Sequence, residues 1–424
     1  MLETLRNAWK IPDLRSKMTF TFLMLVIFRF GAVIPVPGIN LDVIRSVVDD
    51  GGILSMFDMF SGGAFGNMTI FALGIMPYIT ASIIMNLLTI AIPSLEQLAK
   101  EGEEGKKKMA QYTRYGTVIL AIIQATGITV GLFRGAVLDQ TAFSFITVII
   151  TLTAGTAFLM WLGEQITENG IGNGISLIIF AGIISGIPGG IGNTFALLQQ
   201  GEISIIAVIA FAIIAVVIVA GVVYITEGKR KIPVQYAKRV VGRKMYGGQS
   251  SHIPLKVNQS GVIPVIFAMS LLAFPQTLML VFGQDSALGR FTTTWLSPAT
   301  TQGAIVYTIM STILIVFFTY FYTAVTFNPV EVANNMKKQG GFIPGIRPGK
   351  STVEYLNKVL NRITLAGGLF LALIAALPIV ISAVFNLPIA FGGTALLIVV
   401  GVSLETVKQI EAQMLMRHYQ GFLK

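Results

Sequence analysis

"SMFDMFSGGAFGNMTIFALGIMPYI", Ser55 to Ile79, is the stretch on which the reading of this chain turns. Its second half has the apolar run that opens a membrane-spanning helix. Its first half is too short and too glycine-broken to cross a bilayer, whose core takes about 20 apolar residues per helix. On a helical wheel Ile53, Phe57, Phe60 and Ala64 fall on one face, with Ser55, Asp58 and Gly62 opposite. Gly62, Gly63 and Gly66 then allow a hinge. Read alone, the piece is a small amphipathic helix in the outer interface, tied to a span.

The chain around it is built for lipid. Hydrophobic side chains make up 54% of the 424 residues and charged ones 12%, the latter about half the usual share of a soluble domain. Ten apolar stretches are long enough to span, at about 18–36, 68–92, 114–133, 143–162, 175–196, 203–225, 262–283, 303–327, 363–385 and 387–407. The basic N-terminus, residues 1–17, reads as an interfacial amphipathic helix, with no cleavable signal peptide ahead of the first span.

Charge orients the spans. Alternate loops and both termini carry 26 Lys and Arg, and the opposite loops carry only Arg45, Arg134 and Arg290. The basic side is the cytoplasmic one. Ten spans divide into five and five, residues 18–198 and 199–407, followed by a tail at 408–424. The first half starts inside and the second outside, so a shared fold makes them inverted repeats. "GIMPYI" (Gly74–Ile79) in span 2 and "GVIPVI" (Gly261–Ile266) in span 7 place a proline alike in each half. The GxxxG pair Gly182 and Gly186 in span 5 reads as close helix packing.

The chemistry is sparse. There is no cysteine and there are only two histidines, which excludes disulfides, thiolate catalysis and a His-rich metal site. No catalytic triad or phosphate loop is present, so neither an enzyme nor a cofactor or metal is expected. The spans are nearly free of charge, with Arg29 read as snorkelling or pairing with an Asp. Isoleucine, glycine and proline dominate, a composition suited to a dry constriction. A small-solute transporter would also use inverted repeats and broken helices. The lack of a carboxylate for a coupling ion weighs against it, and a membrane scaffold would leave the apolar constriction without a use.

Two cytoplasmic loops exceed what orientation needs. Loop 226–261 carries eight basic residues and alternates in "KIPVQY", an extended arm turning near Gly247-Gly248. Loop 328–362 has a Gly/Pro-stiffened tip, "GFIPGIRPGK", and then Ser351 and Glu354 at the spacing of a capping box. Basic protrusions suit RNA phosphates or acidic protein surfaces.

Seven motifs in order, "FSGGAFGNMTIFALGIMPYITASIIM", "QYTRYGT", "WLGEQITENGIGNGIS", "YAKR", "HIPLKVNQSGVIPVIFA", "FNPVEVANNMKKQGGFIPGIRPG" and "FGGTALLIVVGV", resemble the SecY family, the channel subunits of the bacterial Sec protein translocase. The resemblance runs from the first span to the last. It implies an all-α polytopic protein of the bacterial cell membrane, with ten transmembrane helices in two inverted five-helix halves around an hourglass pore. Matched by motif, Ile75, Ile79, Ile179, Ile183, Ile266 and Ile398 form the pore ring. Ile53, Phe57, Asp58, Phe60 and Ala64 belong to a plug at about 53–66 that seals the ring from outside, its apolar face inward and Asp58 toward water. Asn86, Gln124 and Asn258 are the polar groups along a lateral gate between spans 2/3 and 7/8. Arg243, Lys244 and Arg347 are the docking residues for the ribosome or the SecA motor ATPase. SecE and SecG, signal peptides, nascent polypeptides and membrane lipids complete the implied partners.

Overall fold

In lipid a backbone must satisfy its own hydrogen bonds, and a helix does this within one segment. Each of the ten apolar stretches falls on a helix in the computed structural model. The structure describes the whole chain except residues 1, 45–57, 59–60, 202, 237–238, 242–243, 247–249, 283–285, 298–300, 386–392 and 422–424. Ile53, Phe57, Phe60 and Arg243 therefore lie outside the described residues, and Lys244 is described through its backbone alone.

The helices are α1 (Leu2–Trp9), α2 (Pro12–Gly31), α3 (Met76–Ala91), α4 (Pro93–Lys100), α5 (Glu103–Thr126, continued by a π-helical turn at Gly127–Leu132), α6 (Ala142–Asn169), α7 (Gly174–Gln199) and α8 (Ile205–Glu227). After a β-arm come α9 (Ile263–Phe282), α10 (Ala287–Trp295), α11 (Thr301–Thr326), α12 (Pro329–Lys338), α13 (Lys350–Phe385) and α14 (Gly393–Gly421). Local chemistry sets several starts. The side chains of Thr141, Asn173 and Asn328 accept backbone N–H bonds in the first turns of α6, α7 and α12. Proline opens α2, α4 and α12, where its missing N–H costs nothing.

Among the described residues, α5, α6, α7, α8, α11 and α13 include six spans long and apolar enough to cross a membrane, and the pair α3–α4, bent by 103°, adds a seventh. The bend falls at Ile92, which Pro93 pushes out of the helical region. On α8, Ile205, Ile206, Ile209, Ile213, Val216 and Val217 are exposed, a surface that lipid or another apolar helix solvates. The protein is a multi-pass, mostly helical membrane protein.

Several expected boundaries move. The first long helix starts at Pro12 rather than 18, because Pro12 fits its first turn, so the expected division after residue 17 cuts through α2. The second starts at Met76 rather than 68, since Gly74 takes a left-handed conformation and Pro77 fits only a first turn. The ninth starts at Lys350 instead of 363, and the tenth continues past 407 to Gly421. The expected tail is thus the end of α14, and α1 packs on it instead of lying apart. Ala8 and Leu14 share a buried cluster with Ile171 and Ile410, and Thr4 Oγ1 donates to Glu411 Oε1 at 3.3 Å.

The two basic loops correct the all-α description. β1 (Lys229–Tyr236) pairs antiparallel with β4 (Ser250–Lys256), and between them β2 (Arg239–Val241) pairs antiparallel with β3 (Lys244–Tyr246). Both ladders keep a single register, which pairs Val241 with Lys244. The turn expected near Gly247-Gly248 lies outside the described residues, as do the two positions between Val241 and Lys244. β1 also pairs with β5 (Gly341–Phe342) of the other loop, giving the sheet order β4-β1-β5. Alternation in β1 buries Ile232 and Val234 and exposes Lys231 and Pro233. Those two side chains join Leu255, Ala333, Met336, Ile343 and Leu356 in a separate small core. The two basic loops are one folded unit.

Candidate functional site

The second and seventh apolar stretches begin their helices in the same way. Gly74 has φ +58° and Gly261 φ +64°, a region that other L-residues avoid. Two residues on, α3 starts at Met76 and α9 at Ile263, each followed directly by proline, Pro77 and Pro264. Ile79 and Ile266 then occupy equal places, five residues past their glycines. The likeness between "GIMPYI" and "GVIPVI" is therefore a shared backbone device: a left-handed glycine, a proline in the first turn and an inward isoleucine.

The two devices meet. Ile75 and Ile79 from α3 and its approach, Ile179 from α7, Ile266 from α9 and Ile398 from α14 line one cavity of about 20 Å³. That is room for about one water molecule, inside walls that are chiefly apolar. All five side chains are buried. The sixth ring candidate, Ile183, is buried in the same core one turn along α7 but does not line the cavity. The structure adds Met269 and Ser270 on α9, and Ser61, to the lining. Met269 follows Ile266 by three residues, the spacing of one helix face, which is the signal that could have found it. Ser270 donates its hydroxyl to Ile266 O at 2.8 Å.

Immediately beside this cavity lies the segment of the opening quotation. It is a set of closed turns from Gly62 to Ile75, not the beginning of a span. Asp58 is half-buried rather than turned to water: its Oδ1 accepts the Gly66 N–H at 2.7 Å. Ser61 Oγ accepts the Phe65 N–H and donates to Asp58 O, both at 3.0 Å. Such bonds compete with a continuing helix and end it here. Ala64 is buried as expected but past the helical residues, since Gly62 and Gly63 have positive φ. Val36 N–H donates to Met68 O and Ile70 N–H to Ile34 O, tying the turns to the chain after α2. Gly182 is approached closely by this segment. A Cβ on Gly62 would stand 2.8 Å from Gly182 Cα, whereas Gly186 has open space around it.

The approach to α9 differs. Asn258 Oδ1, Gln259 Oε1 and Ser260 Oγ are buried and have no hydrogen-bond partner among the described residues. Glu405, a charge inside the tenth stretch that the sequence reading passed over, stands behind Gly261, its Oε2 3.8 Å from where a Cβ would be. α9 packs against both α3 and α5 with its π turn. Of the expected gate residues, Gln124 and Asn258 are buried and Asn86 on α3 is exposed. Among the described residues no hydrogen bond joins any two of them, and Asn258 Oδ1 has no partner there.

On the unit formed by the two basic loops, Arg347 is exposed at a tip shaped by Gly345 (φ +79°) and Gly349 (φ +107°). Its carbonyl accepts from the buried Thr352 Oγ1 at 3.0 Å, which fixes the tip to α13. The expected capping box is absent. Ser351 lies inside the first turn, and the Thr352 and Val353 N–H groups reach back to Gly349 O.

A multi-pass helical protein that packs isoleucines from four helices around a one-water cavity belongs to the class of gated membrane channels. Comparison with known proteins makes the class specific. The SecY family model matches residues 69–407. Relatives named protein translocase subunit SecY include one from Halalkalibacterium halodurans, 50% identical over 100% of both chains. Another, from Pseudomonas aeruginosa, is 49% identical over 98% of this chain and 94% of its own. Among solved structures, one described as a protein-conducting channel aligns with a TM-score of 0.72 at 25% identity, covering 94% of this chain and 92% of its own. Sec61 in the canine ribosome-channel complex aligns with a TM-score of 0.67 at 25% identity and the same coverage. The chain belongs to the SecY family. It is a protein-conducting translocation channel, not an enzyme.

Proposed function

We propose that the chain is the central subunit of a bacterial translocase that passes unfolded secretory polypeptides through a waist made by Ile75, Ile79, Ile179, Ile266 and Ile398, with Ile183 behind it. The observation that carries this is the convergence of those five side chains on a cavity of about 20 Å³. A space for one water admits neither a hydrated ion nor an extended chain, so the described conformation is closed. Ten helices, in halves 18–198 and 199–407 related by inversion, surround the waist. The paired glycine–proline starts of α3 and α9 support that relation. The termini and the β-containing unit face the cytoplasm of a bacterial cell, as the lysine and arginine distribution favours.

The segment from Ile53 to Gly66 acts as the plug. Its described part, Asp58 and Ser61–Gly66, is fastened by side-chain bonds beside the cavity. Apolar signal segments leave sideways to lipid where α9 meets α3 and α5, with Gln124 and Asn258 at that seam and Asn86 on its open flank. Arg347, with Arg243 and Lys244, docks a ribosome or SecA, and SecE and SecG cover apolar outer surface. Sec61 in the canine complex is bound to a ribosome, which supports the docking face. Deleting Ile53 to Phe65 is expected to leave the protein folded and to raise the resting ion conductance of the reconstituted complex. An unchanged conductance would refute the plug. Arg347→Glu is expected to slow motor-driven export at normal protein levels, and normal export would refute the docking role.

A further inference from the structure

Arg29 sits in the outer half of α2, inside an apolar stretch. Its Nη1 donates to the carbonyl oxygen of Gly62 at 3.2 Å and to Ser185 Oγ at 2.8 Å. Ser185, on α7, donates its own proton to Gly182 O at 2.6 Å, which leaves its lone pairs for the guanidinium. Gly62 has φ +68° and lies so close to Gly182 that a Cβ would clash with backbone atoms at 2.8 and 2.9 Å. Three elements thus meet at one carbonyl: α2 through Arg29, α7 through Ser185 and Gly182, and the turn that ends the plug.

The fastening is lopsided. α2 and α7 both belong to the first half. The neighbouring turns touch the second half through apolar contact: Phe65 and Met68 share a buried cluster with Met279 of α9. Ser61 faces the cavity that Ile266 and Ile398 close from the far side.

We propose that Arg29 and Ser185 form a latch that keeps the plug on the first half and sets how often it leaves the waist, an inference that rests on the plug reading above. A hydrogen bond from a cation is stronger than one between neutral groups. A backbone carbonyl, unlike a carboxylate, is released without stranding a second buried charge. The latch therefore holds the closed state yet breaks when the halves part. Gly62 carries no side chain because the latch needs its carbonyl brought against α7.

The test uses the complete reconstituted complex in planar bilayers, with Arg29→Gln, Arg29→Lys and Ser185→Ala, each in the full chain and in the Ile53–Phe65 deletion. Arg29→Gln is expected to raise resting conductance about tenfold, the loss of one hydrogen bond to a charged group, and Ser185→Ala about threefold. Arg29→Lys, which keeps a cationic donor, should stay near the unsubstituted value and covers the case that Arg29→Gln does not assemble. None should add to the deletion. If the deletion leaks and Arg29→Gln in the full chain does not, the latch is wrong and the plug stands. Equal increments with and without the plug would also overturn it, by placing the effect of Arg29 elsewhere. A deletion that does not leak removes the plug reading and the latch with it.

Discussion

The two halves reach the waist by the same device and prepare for it in opposite ways. Gly74–Ile79 and Gly261–Ile266 share the left-handed glycine, the first-turn proline and the inward isoleucine. Ahead of Gly74, the polar side chains Asp58, Ser61 and Thr69 all spend their oxygens on nearby backbone. Ahead of Gly261, three consecutive residues bury side-chain oxygens with no partner among the described residues. A buried oxygen left without a partner costs about 1–3 kcal/mol, so polar contact is worth more at the second approach than at the first, whose oxygens are already bonded. The difference teaches where motion is cheap. The first approach is held by local bonds, and the second gains when it moves toward water or toward polar groups of another chain.

This contrast can be broken at several points. The largest effect is expected from Gly62→Ala, which drives a methyl into the Gly182 backbone in a conformation alanine resists. It should unseat the plug and raise resting conductance more than any side-chain deletion nearby; unaltered conductance would show that the seat does not hold the seal. Next come Gly74→Ala and Gly261→Ala. Neither added Cβ meets an atom closer than 3.8 Å, so each pays mainly the left-handed backbone cost of about 1–2 kcal/mol. Equal losses of thermal stability in detergent are expected, and a loss in only one half would break the shared device. The smallest pair reverses sign. Ser61→Ala removes the hydroxyl that accepts the Phe65 N–H and should destabilise by about 1 kcal/mol, whereas Ser260→Ala removes an oxygen with no partner among the described residues and should be neutral or stabilising. Destabilisation by both would show that Ser260 has a partner after all.

Much of this was legible in the sequence for physical reasons. Apolar length fixes helices in lipid, and the lysine and arginine asymmetry orders the loops. Five of the six isoleucines taken from motif matching line one cavity; composition by itself would leave each as ordinary packing. What stayed hidden is non-local. Nothing along the chain says that Arg29 meets Gly62 and Ser185, because those contacts join residues 33 and 156 positions apart. The pairing of β1 with β5 joins two loops whose separate patterns show only an arm and a tip. Asp58 looked solvent-facing on a helical wheel, and a wheel fails where Gly62 and Gly63 end the helix. Glu405 was missed because one charge near the end of a long apolar run does not alter its average.

The central claim is that the two glycine–proline starts meet at the waist through which polypeptide passes. The most direct measurement places a photoreactive side chain at Ile79 or Ile266 and presents a stalled, signal-bearing nascent chain to the assembled complex. Crosslinks to the translocating chain from both positions are the expected result. Crosslinks from neither, or from one half alone, would contradict it.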